Sequence, residues 1–224
     1  MFINWYHITT KQVGYPQPEN AFGYVNKTYD TSNACLTCKN GLRQKDEFRF
    51  LTEPKATKIH LFGLHWVFDQ VFIKTEVRDI FEKEKITGIE YTQPVIHKSS
   101  LPLHGFYQLR VENLISTGLY TENLTTEVCE LPRDKKMLTF LKANRSKLAE
   151  GPFCGQVKYN FPQGQNCIKL KAEALNNKTD FVRLDYNFGS GGNSNKPIII
   201  SERVKRIIEK ENWKGAYFQK IELV

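Results

Sequence analysis

Residues 71–91 have the sequence VFIKTEVRDIFEKEKITGIEY, and residues 198–218 have the sequence IIISERVKRIIEKENWKGAYF. At a constant offset of 127 and without a gap, seven of these 21 positions are identical. Most of the other pairs keep their apolar or polar character. The chain therefore carries one unit twice, and the pattern within that unit predicts its architecture.

The repeated unit has the pattern of a strand followed by a helix. The apolar triplets 71–73 and 198–200 have the length of short buried strands. After each triplet, apolar residues recur at the i, i+3, i+4 spacing that places them on one face of a helix. These residues are Val77, Ile80 and Phe81 in the first copy and Val204, Ile207 and Ile208 in the second. We therefore expect an amphipathic helix in each copy.

The ends of this helix also have sequence signals. Thr75 and Ser201 offer hydroxyl groups near the two predicted helix starts. Gly88 and Gly215 come just past the last turn, where a residue in the left-handed conformation would end the helix. Apolar and aromatic residues follow each glycine and indicate a second strand. The unit is therefore predicted to be strand–helix–strand.

Two copies so far apart do not form a solenoid, in which adjacent repeats share a core. We expect the α+β class, with two related strand–helix–strand units packed with additional short, mostly antiparallel strands. Further elements are predicted at 106–114 (strand), 135–149 (helix), 156–161 (strand) and 167–170 (strand). The predicted division is an N-terminal half, 1–105, and a C-terminal half, 106–224, which together form two small domains or one compact one.

Composition bounds the class of protein. The chain has 224 residues, of which 40% are hydrophobic and 25% charged, as in ordinary soluble proteins. It has no signal-peptide pattern at its start and no apolar run long enough to span a membrane, so we expect a cytoplasmic protein without a membrane partner. The net charge of +8 favours acidic partners, including nucleic acid, but the excess is dispersed as on an ordinary solvated surface.

Five cysteines carry the clearest chemical signal: Cys35, Cys38, Cys129, Cys154 and Cys167. An odd number with one Cys-x-x-Cys pair favours reduced thiols over a disulfide framework. Cys35 and Cys38 have the spacing of half a zinc knuckle. Residues 151–155 have the sequence GPFCG, which matches a second Cys-x-x-Cys-Gly whose first cysteine is glycine.

The predicted metal ligands are therefore Cys35, Cys38 and Cys154, for one structural zinc ion. The fourth ligand would come from Cys129, Cys167 or a histidine. The alternative is a former zinc site that now holds buried reduced cysteines. A thioredoxin-like redox role is disfavoured because no βαβ pattern surrounds Cys35.

The sequence has no recognisable catalytic constellation. It lacks a Gly-x-Ser-x-Gly elbow and a Walker loop. His60 and His65 lack the spacing and the glutamate of a zinc protease, and the pattern at His65-Trp66 favours a core or an interface. The glycine-rich segment 188–197 precedes a strand rather than a helix, which favours a connector, although it could also serve as a binding loop.

At three places the chain resembles a known family: residues 29–41 (YDTSNACLTCKNG), the pair Cys154-Gly155, and the closing segment 189–218, from GSGG to GAYF. These resemble the double-CXXCG proteins, bacterial proteins of which some are immunity partners of polymorphic toxins. The resemblance implies zinc ligands at the same three cysteines and supplies no catalytic residues. This chain departs from the family pattern at Gly151, where the family has cysteine, and at Lys39, where it has glycine.

Two functional hypotheses follow from these observations. The first is a non-enzymatic immunity-type protein that binds and neutralises a cognate toxin, for which plentiful aromatic and basic residues would supply an interface. The alternative is a zinc-ribbon-like nucleic-acid-binding module, which is less favoured. An enzyme that uses Cys35 or a histidine is the least favoured class. The repeated unit is interpreted as scaffold, so function is expected in the unrepeated segments.

Overall fold

The computed structural model describes residues 4–14, 23–56, 58–65, 67–162, 167–175, 179–192 and 194–224. Trp66, and Asn193 of the glycine-rich segment, lie outside these residues. Within them the chain forms a mixed α and β structure, as the sequence predicts, in which strands outnumber helices. None of the described helices has the length and apolar character needed to cross a membrane.

The strands are β1 (Trp5–Gln12), β2 (Tyr29–Asp30), β3 (Arg43–Gln44), β4 (Arg49–Phe50), β5 (Leu61–Leu64), β6 (Val67–Lys74), β7 (Glu90–Thr92), β8 (Val95–Ile96), β9 (Phe106–Arg110), β10 (Leu114–Ile115), β11 (Thr126–Val128), β12 (Val157–Tyr159), β13 (Lys169–Leu170), β14 (Phe181–Leu184), β15 (Ile198–Ser201), β16 (Ala216–Lys220) and β17 (Glu222–Leu223). The α-helices are α1 (Tyr24–Thr28), α2 (Thr75–Lys83), α3 (Lys135–Ala143) and α4 (Glu202–Lys210), and two 3-10 helices lie at Lys147–Ala149 and Ala172–Ala174.

Nine strands form one sheet, which curls into a half-barrel. Its order is β10-β14-β15-β1-β5-β6-β9-β7, and β16 also pairs with β1. Residues 5–8 of β1 pair antiparallel with β15, residues 6–10 pair antiparallel with β16, and residues 11–12 pair in parallel with β5. The sheet therefore combines strands from both sides of residue 105, where the sequence predicts a boundary.

Helices α2 and α4 pack against this sheet with the residues that their spacing predicts. Val77 and Phe81 of α2 and Val204 and Ile208 of α4 are buried in one hydrophobic cluster. The ring of Phe81 lies 5.5 Å from that of Trp213, which follows α4. Burial of each such side chain contributes about 2 kcal/mol, so the two helices are held chiefly by their apolar faces.

The helix starts differ from each other. Ser201 caps α4, because its hydroxyl oxygen accepts a hydrogen bond from the backbone N–H of Val204 at 3.4 Å. Lys74 occupies the equivalent position before α2 and makes no side-chain cap. Thr75 is already the first helical residue, and its backbone N–H donates to the carbonyl oxygen of Gly105 instead. The prediction of a hydroxyl cap is therefore right for Ser201 and wrong for Thr75.

Both helices end before the predicted glycines. Lys85 and Asn212 adopt the left-handed conformation, with φ of 52° and 53°. The next residues, Ile86 and Trp213, return their N–H groups to the carbonyl oxygens five positions back, at 2.9 and 3.0 Å. This is the Schellman pattern of helix termination. The expectation that Gly88 stops α2 and Gly215 stops α4 is wrong, since both glycines lie three residues further on.

These glycines instead allow two backbone segments to touch. Gly88 has a φ of +84°, and a Cβ atom there would overlap the carbonyl oxygen of Phe181 in β14. Gly215 has a φ of +103°, and a Cβ atom there would overlap the carbonyl oxygen of Leu61 in β5. Both positions therefore exclude a side chain for steric as well as conformational reasons.

The other predicted elements form in shortened versions. The predicted strand 106–114 is divided into β9 and β10, 156–161 forms β12, and 167–170 forms β13. The predicted helix 135–149 ends with α3, because Arg145 is left-handed and Ser146 donates its N–H to the carbonyl oxygen of Leu141 at 2.9 Å. Local backbone hydrogen bonds thus end this helix before its apolar pattern does.

Substitution of Gly88 by alanine should lower the free energy of unfolding by more than about 3 kcal/mol, because it adds a backbone clash to the cost of a left-handed alanine. Gly105→Ala is the matched control, since Gly105 has the same φ of +84° and no atom within 4 Å of the added Cβ. The control should lose only about 1 kcal/mol. Urea unfolding of both variants measures the difference, and equal losses would show that the contact with Phe181 is unimportant.

Candidate metal centre

Four cysteines from distant parts of the chain meet at one point. The sulfur atoms of Cys35, Cys38, Cys129 and Cys154 all lie within 4.8 Å of one another. The Sγ atoms of Cys35 and Cys129 are 3.8 Å apart, and those of Cys38 and Cys154 are 3.6 Å apart. The three cysteines predicted as ligands are therefore brought together, and Cys129 supplies the fourth sulfur. Cys167 lies elsewhere, with its sulfur 3.8 Å from a carboxylate oxygen of Glu222.

The first two sulfurs are positioned by a tight turn. The N–H of Cys35 donates to the carbonyl oxygen of Asn40 and the N–H of Lys39 donates to that of Cys35, both at 2.8 Å. The N–H of Cys38 also points at the sulfur of Cys35, at 3.5 Å. Lys39, where the family pattern has glycine, adopts a φ of 62°. The turn therefore forms in spite of this departure, at a cost of about 1 kcal/mol for a left-handed lysine.

The other two sulfurs are positioned by the antiparallel strand pair β11–β12. We call this pair the hairpin, although 28 residues connect its strands. Strands β11 and β12 pair from Thr126–Tyr159 to Val128–Val157. Just beyond this pairing, the N–H of Cys129 donates to the carbonyl oxygen of Gln156 at 2.9 Å. The N–H of Gly155 donates back to the carbonyl oxygen of Cys129 at 3.1 Å. This ladder places Cys129 beside Cys154.

The hairpin brings a fourth sulfur to the cluster although residue 151 is glycine. That sulfur belongs to Cys129, across the hairpin from Cys154. Pro152 is held against the Cys35–Cys38 turn, because its carbonyl oxygen accepts a hydrogen bond from the hydroxyl of Thr37 at 2.7 Å. The pairing of residues 126–128 with 157–159 is the signal that would have identified Cys129, and it is not visible in a single sequence.

The spacing of the four sulfurs fits a tetrahedral metal ion. Zinc bound to four thiolates at about 2.3 Å keeps the sulfurs about 3.8 Å apart. Two of the six separations, 3.6 and 3.8 Å, are close to that value, and all six are within 4.8 Å. All five cysteines are free, three of the cluster are buried, and Cys154 is exposed. Four thiolates fill the coordination shell, which is the ligand set of a structural rather than a catalytic zinc site.

The thiols differ in their tendency to ionise. Burial acts to raise the pKa of Cys35, but hydrogen bonds from the backbone N–H groups of Cys38 and Thr37 and from the thiols of Cys38 and Cys154 together outweigh it and lower the pKa to about 7. Burial raises the pKa of Cys38 and that of Cys129. Because zinc binds thiolates, metal binding to this cluster would release protons and would strengthen as the pH rises.

The glycine-rich segment lies against the same cluster. Lys158, which is fully buried, donates from Nζ to the carbonyl oxygen of Gly191 at 2.6 Å. Its partner in the hairpin register, Glu127, accepts a hydrogen bond from the N–H of Gly191 at 2.7 Å. A Cβ atom added at Gly192 would lie 3.5 Å from the carbonyl oxygen of Thr37, so this segment runs close to the Cys35–Cys38 turn. The Cys35–Cys38 turn, the hairpin and the glycine-rich segment, all unrepeated, therefore form one region.

The side chains of His60 and Asp180 make structural contacts. His60 accepts a hydrogen bond at Nδ1 from the N–H of Lys214, and its Nε2 lies 3.3 Å from Glu76. Asp180 accepts a hydrogen bond from the hydroxyl of Ser201 at 2.8 Å. His7 is buried, and desolvation lowers its pKa to about 4. A buried, neutral imidazole of this kind is a poor general base at neutral pH.

Comparison with known proteins adds no family to this picture. No protein-family model matches the chain, and no curated protein matches it. The resemblance to the double-CXXCG proteins therefore stays a prediction that rests on the cysteine motifs and the closing segment.

We expect the purified protein to bind about one zinc ion per chain, and Cys129→Ala to weaken zinc binding more than about 100-fold, because it removes one of four thiolates. Cys167→Ala is the matched control and should bind zinc like the unmodified chain. Elemental analysis and competition with a chromophoric chelator give the two quantities. Retention of zinc by the Cys129 variant, or its loss in the Cys167 variant, would show that the ligand set is wrong.

Proposed function

We propose that this chain is a non-enzymatic cytoplasmic protein of the immunity type, which binds a cognate toxin and is stabilised by one structural zinc ion. The observation that carries the proposal is the cluster of four cysteines. In it, the two cysteines of the Cys-x-x-Cys motif that prompted the resemblance meet Cys129 and Cys154, so that four sulfur atoms are available for one metal ion.

The character of the cluster supports binding rather than catalysis. A zinc ion with four thiolate ligands has no open position for a substrate or an activated water molecule. The imidazole of His60 and the carboxylate of Asp180 are engaged in contacts that hold the backbone. These contacts favour a stable scaffold that presents a surface to another macromolecule.

We also propose that the scaffold consists of two related strand–helix–strand units. Helices α2 and α4 have bounds that differ by the sequence offset of 127 at both ends. The carbonyl oxygen of Thr87 accepts the N–H of Phe181, and the carbonyl oxygen of Lys214, at the equivalent position, accepts the N–H of Leu61. This reciprocal pair of hydrogen bonds supports a duplication. The segment after α2 bonds to β14, which pairs with β15 of the second unit. The segment after α4 bonds to β5, which pairs with β6 of the first unit.

The pairing of the central strands supports the same proposal. β9 pairs with β6 and β7, which flank α2, and β1 pairs with β15 and β16, which flank α4. Each strand–helix–strand unit thus receives one further antiparallel strand at the equivalent place. Since these repeated parts make the common core, the sequence around the cysteines can change to suit a binding partner without loss of that core.

The proposal is tested by co-expression with the protein encoded by the neighbouring gene, if that protein inhibits growth when expressed alone. We expect a 1:1 complex and restored growth. We also expect Cys129→Ala to reduce protection and Cys167→Ala to leave it intact. No complex and no protection would contradict the proposal. Salt-dependent binding to duplex DNA or RNA instead would favour the alternative, a zinc-ribbon-like nucleic-acid-binding module.

A further inference from the structure

Two of the four clustered cysteines enclose a long excursion of the chain. Cys129 and Cys154 bound residues 130–153, which we call the arm. Because the sulfur atoms of these two cysteines lie within 4.8 Å of each other, the two ends of the arm meet at the cluster. The arm contains α3 and the 3-10 helix Lys147–Ala149. A metal ion held by the cluster would therefore fix the base from which α3 is presented.

Helix α3 differs from α2 and α4 in its burial. Each of those helices buries two apolar residues in the main core, whereas α3 buries none. Its apolar side chains Met137 and Phe140 are 50% and 62% exposed, and Leu131, just before the helix, is 46% exposed. Leu138 and Leu141 are half-buried, so only one edge of the apolar face of α3 rests on the protein. Met137 and Phe140 thus form a short exposed apolar strip.

The arm that carries the strip has an excess of basic residues. Residues 130–153 contain six lysine and arginine residues and three acidic residues. Two of the acidic side chains already have partners within the arm. Glu130 forms an ion pair with Arg133 at 3.0 Å, and Asp134 caps α3 by accepting the N–H groups of Lys136 and Met137. Lys136 lies one turn before Phe140 and so beside the strip.

We propose that α3 is the surface by which the protein binds its toxin, and that the toxin contributes an apolar pocket rimmed by acidic side chains. This assignment rests on the proposed function. Met137 and Phe140 would enter the pocket, as buried apolar anchors do at the centre of protein interfaces. Lys136, which is exposed beside Phe140, would face the acidic rim. The exposed Lys135 and Lys142, on the other flank of α3, would add to the long-range attraction that speeds association.

The shape of the strip favours a protein over a membrane. A helix that lies in a lipid surface buries its whole apolar face among the lipids. Here Leu138 and Leu141 are half-buried against the chain, which leaves a strip only two side chains wide. Contacts of the lysines with the phosphates of a nucleic-acid duplex would leave Met137 and Phe140 exposed to water. The strip also offers a single aromatic ring, whereas single-stranded nucleic acid is bound by several aromatic side chains on which successive bases stack.

The cluster gives the arm its role in binding. A metal ion that joins Cys129 and Cys154 would hold together the two ends of the 24-residue arm and so reduce its conformational freedom. Less freedom would then be lost when the toxin binds, which strengthens affinity for the toxin without any new contact. Cys129→Ala should therefore weaken toxin binding although it changes no residue of α3. Zinc-dependent protection of residues 130–153 from hydrogen exchange would report this closure in the absence of any partner.

The assignment is tested with the zinc-loaded full chain and the growth-inhibiting product of the neighbouring gene. Met137→Ser/Phe140→Ser should weaken the complex at least about tenfold. The matched control is Leu101→Ser, which removes a side chain that is 64% exposed outside the arm.

Lys135→Glu/Lys136→Glu should slow association about tenfold at low salt and little at high salt. Its control is Lys55→Glu/Lys58→Glu, which makes the same change of net charge. Unchanged zinc content and circular dichroism would show that each variant is folded.

Equal binding of the toxin by the unmodified chain and the α3 variants would overturn this assignment and leave the proposed function standing. Failure of the unmodified chain to bind the toxin would overturn both. Vesicles of phosphatidylcholine and phosphatidylserine in a 4:1 ratio, and a 20-base-pair DNA duplex, are the remaining probes. Binding to either one that is lost in the Met137/Phe140 variant, with toxin binding unaltered, would reassign α3 to a lipid or nucleic-acid ligand.

Discussion

Convergence of four sulfur atoms on one point is the constraint on which the unrepeated part of this molecule depends. The Cys35–Cys38 turn and the β11–β12 hairpin are separated by about ninety residues of chain and have only small apolar surfaces of their own. In the structure they meet through Cys35, Cys38, Cys129 and the ring of Phe153. Such a small apolar cluster supplies only a few kcal/mol. Metal coordination would add a far larger free energy, because the ligand set does not exist in the unfolded chain.

The molecule has two parts that are stabilised differently: a first layer, the nine-stranded sheet with its helices, and a second layer, the region around the cysteines. The nine-stranded sheet and its helices bury large apolar side chains such as Phe72, Phe81 and Ile200, and their stability comes from that burial. The cysteine region carries the polar contacts that tie segments to one another, such as the buried Lys158 with Gly191. If the proposed duplication is right, the first layer was made by repetition and the second by divergence. A binding surface on α3 would then belong to the divergent layer.

How far the sequence predicts the structure depends on whether a feature is local. The α+β class, the apolar faces of α2 and α4 and three of the four clustered cysteines follow from spacing along the chain. The fourth, Cys129, becomes recognisable only when β11 pairs with β12, which is a contact between distant residues. The role of Gly88 is non-local in the same way. A glycine at this place in the sequence suggests a helix stop, but glycine is required because a Cβ atom would overlap the backbone of Phe181. Helix ends were mispredicted because lysine and asparagine can also adopt the left-handed conformation.

In the proposed site four thiolates, and only thiolates, would hold one zinc ion. X-ray absorption spectroscopy at the zinc edge of the purified, zinc-loaded protein counts these ligands. We expect a single shell of about four sulfur neighbours at about 2.3 Å, without nitrogen or oxygen ligands. A shell that contains a histidine nitrogen or a water oxygen would contradict the proposed site, as would a chain that folds fully and binds no zinc.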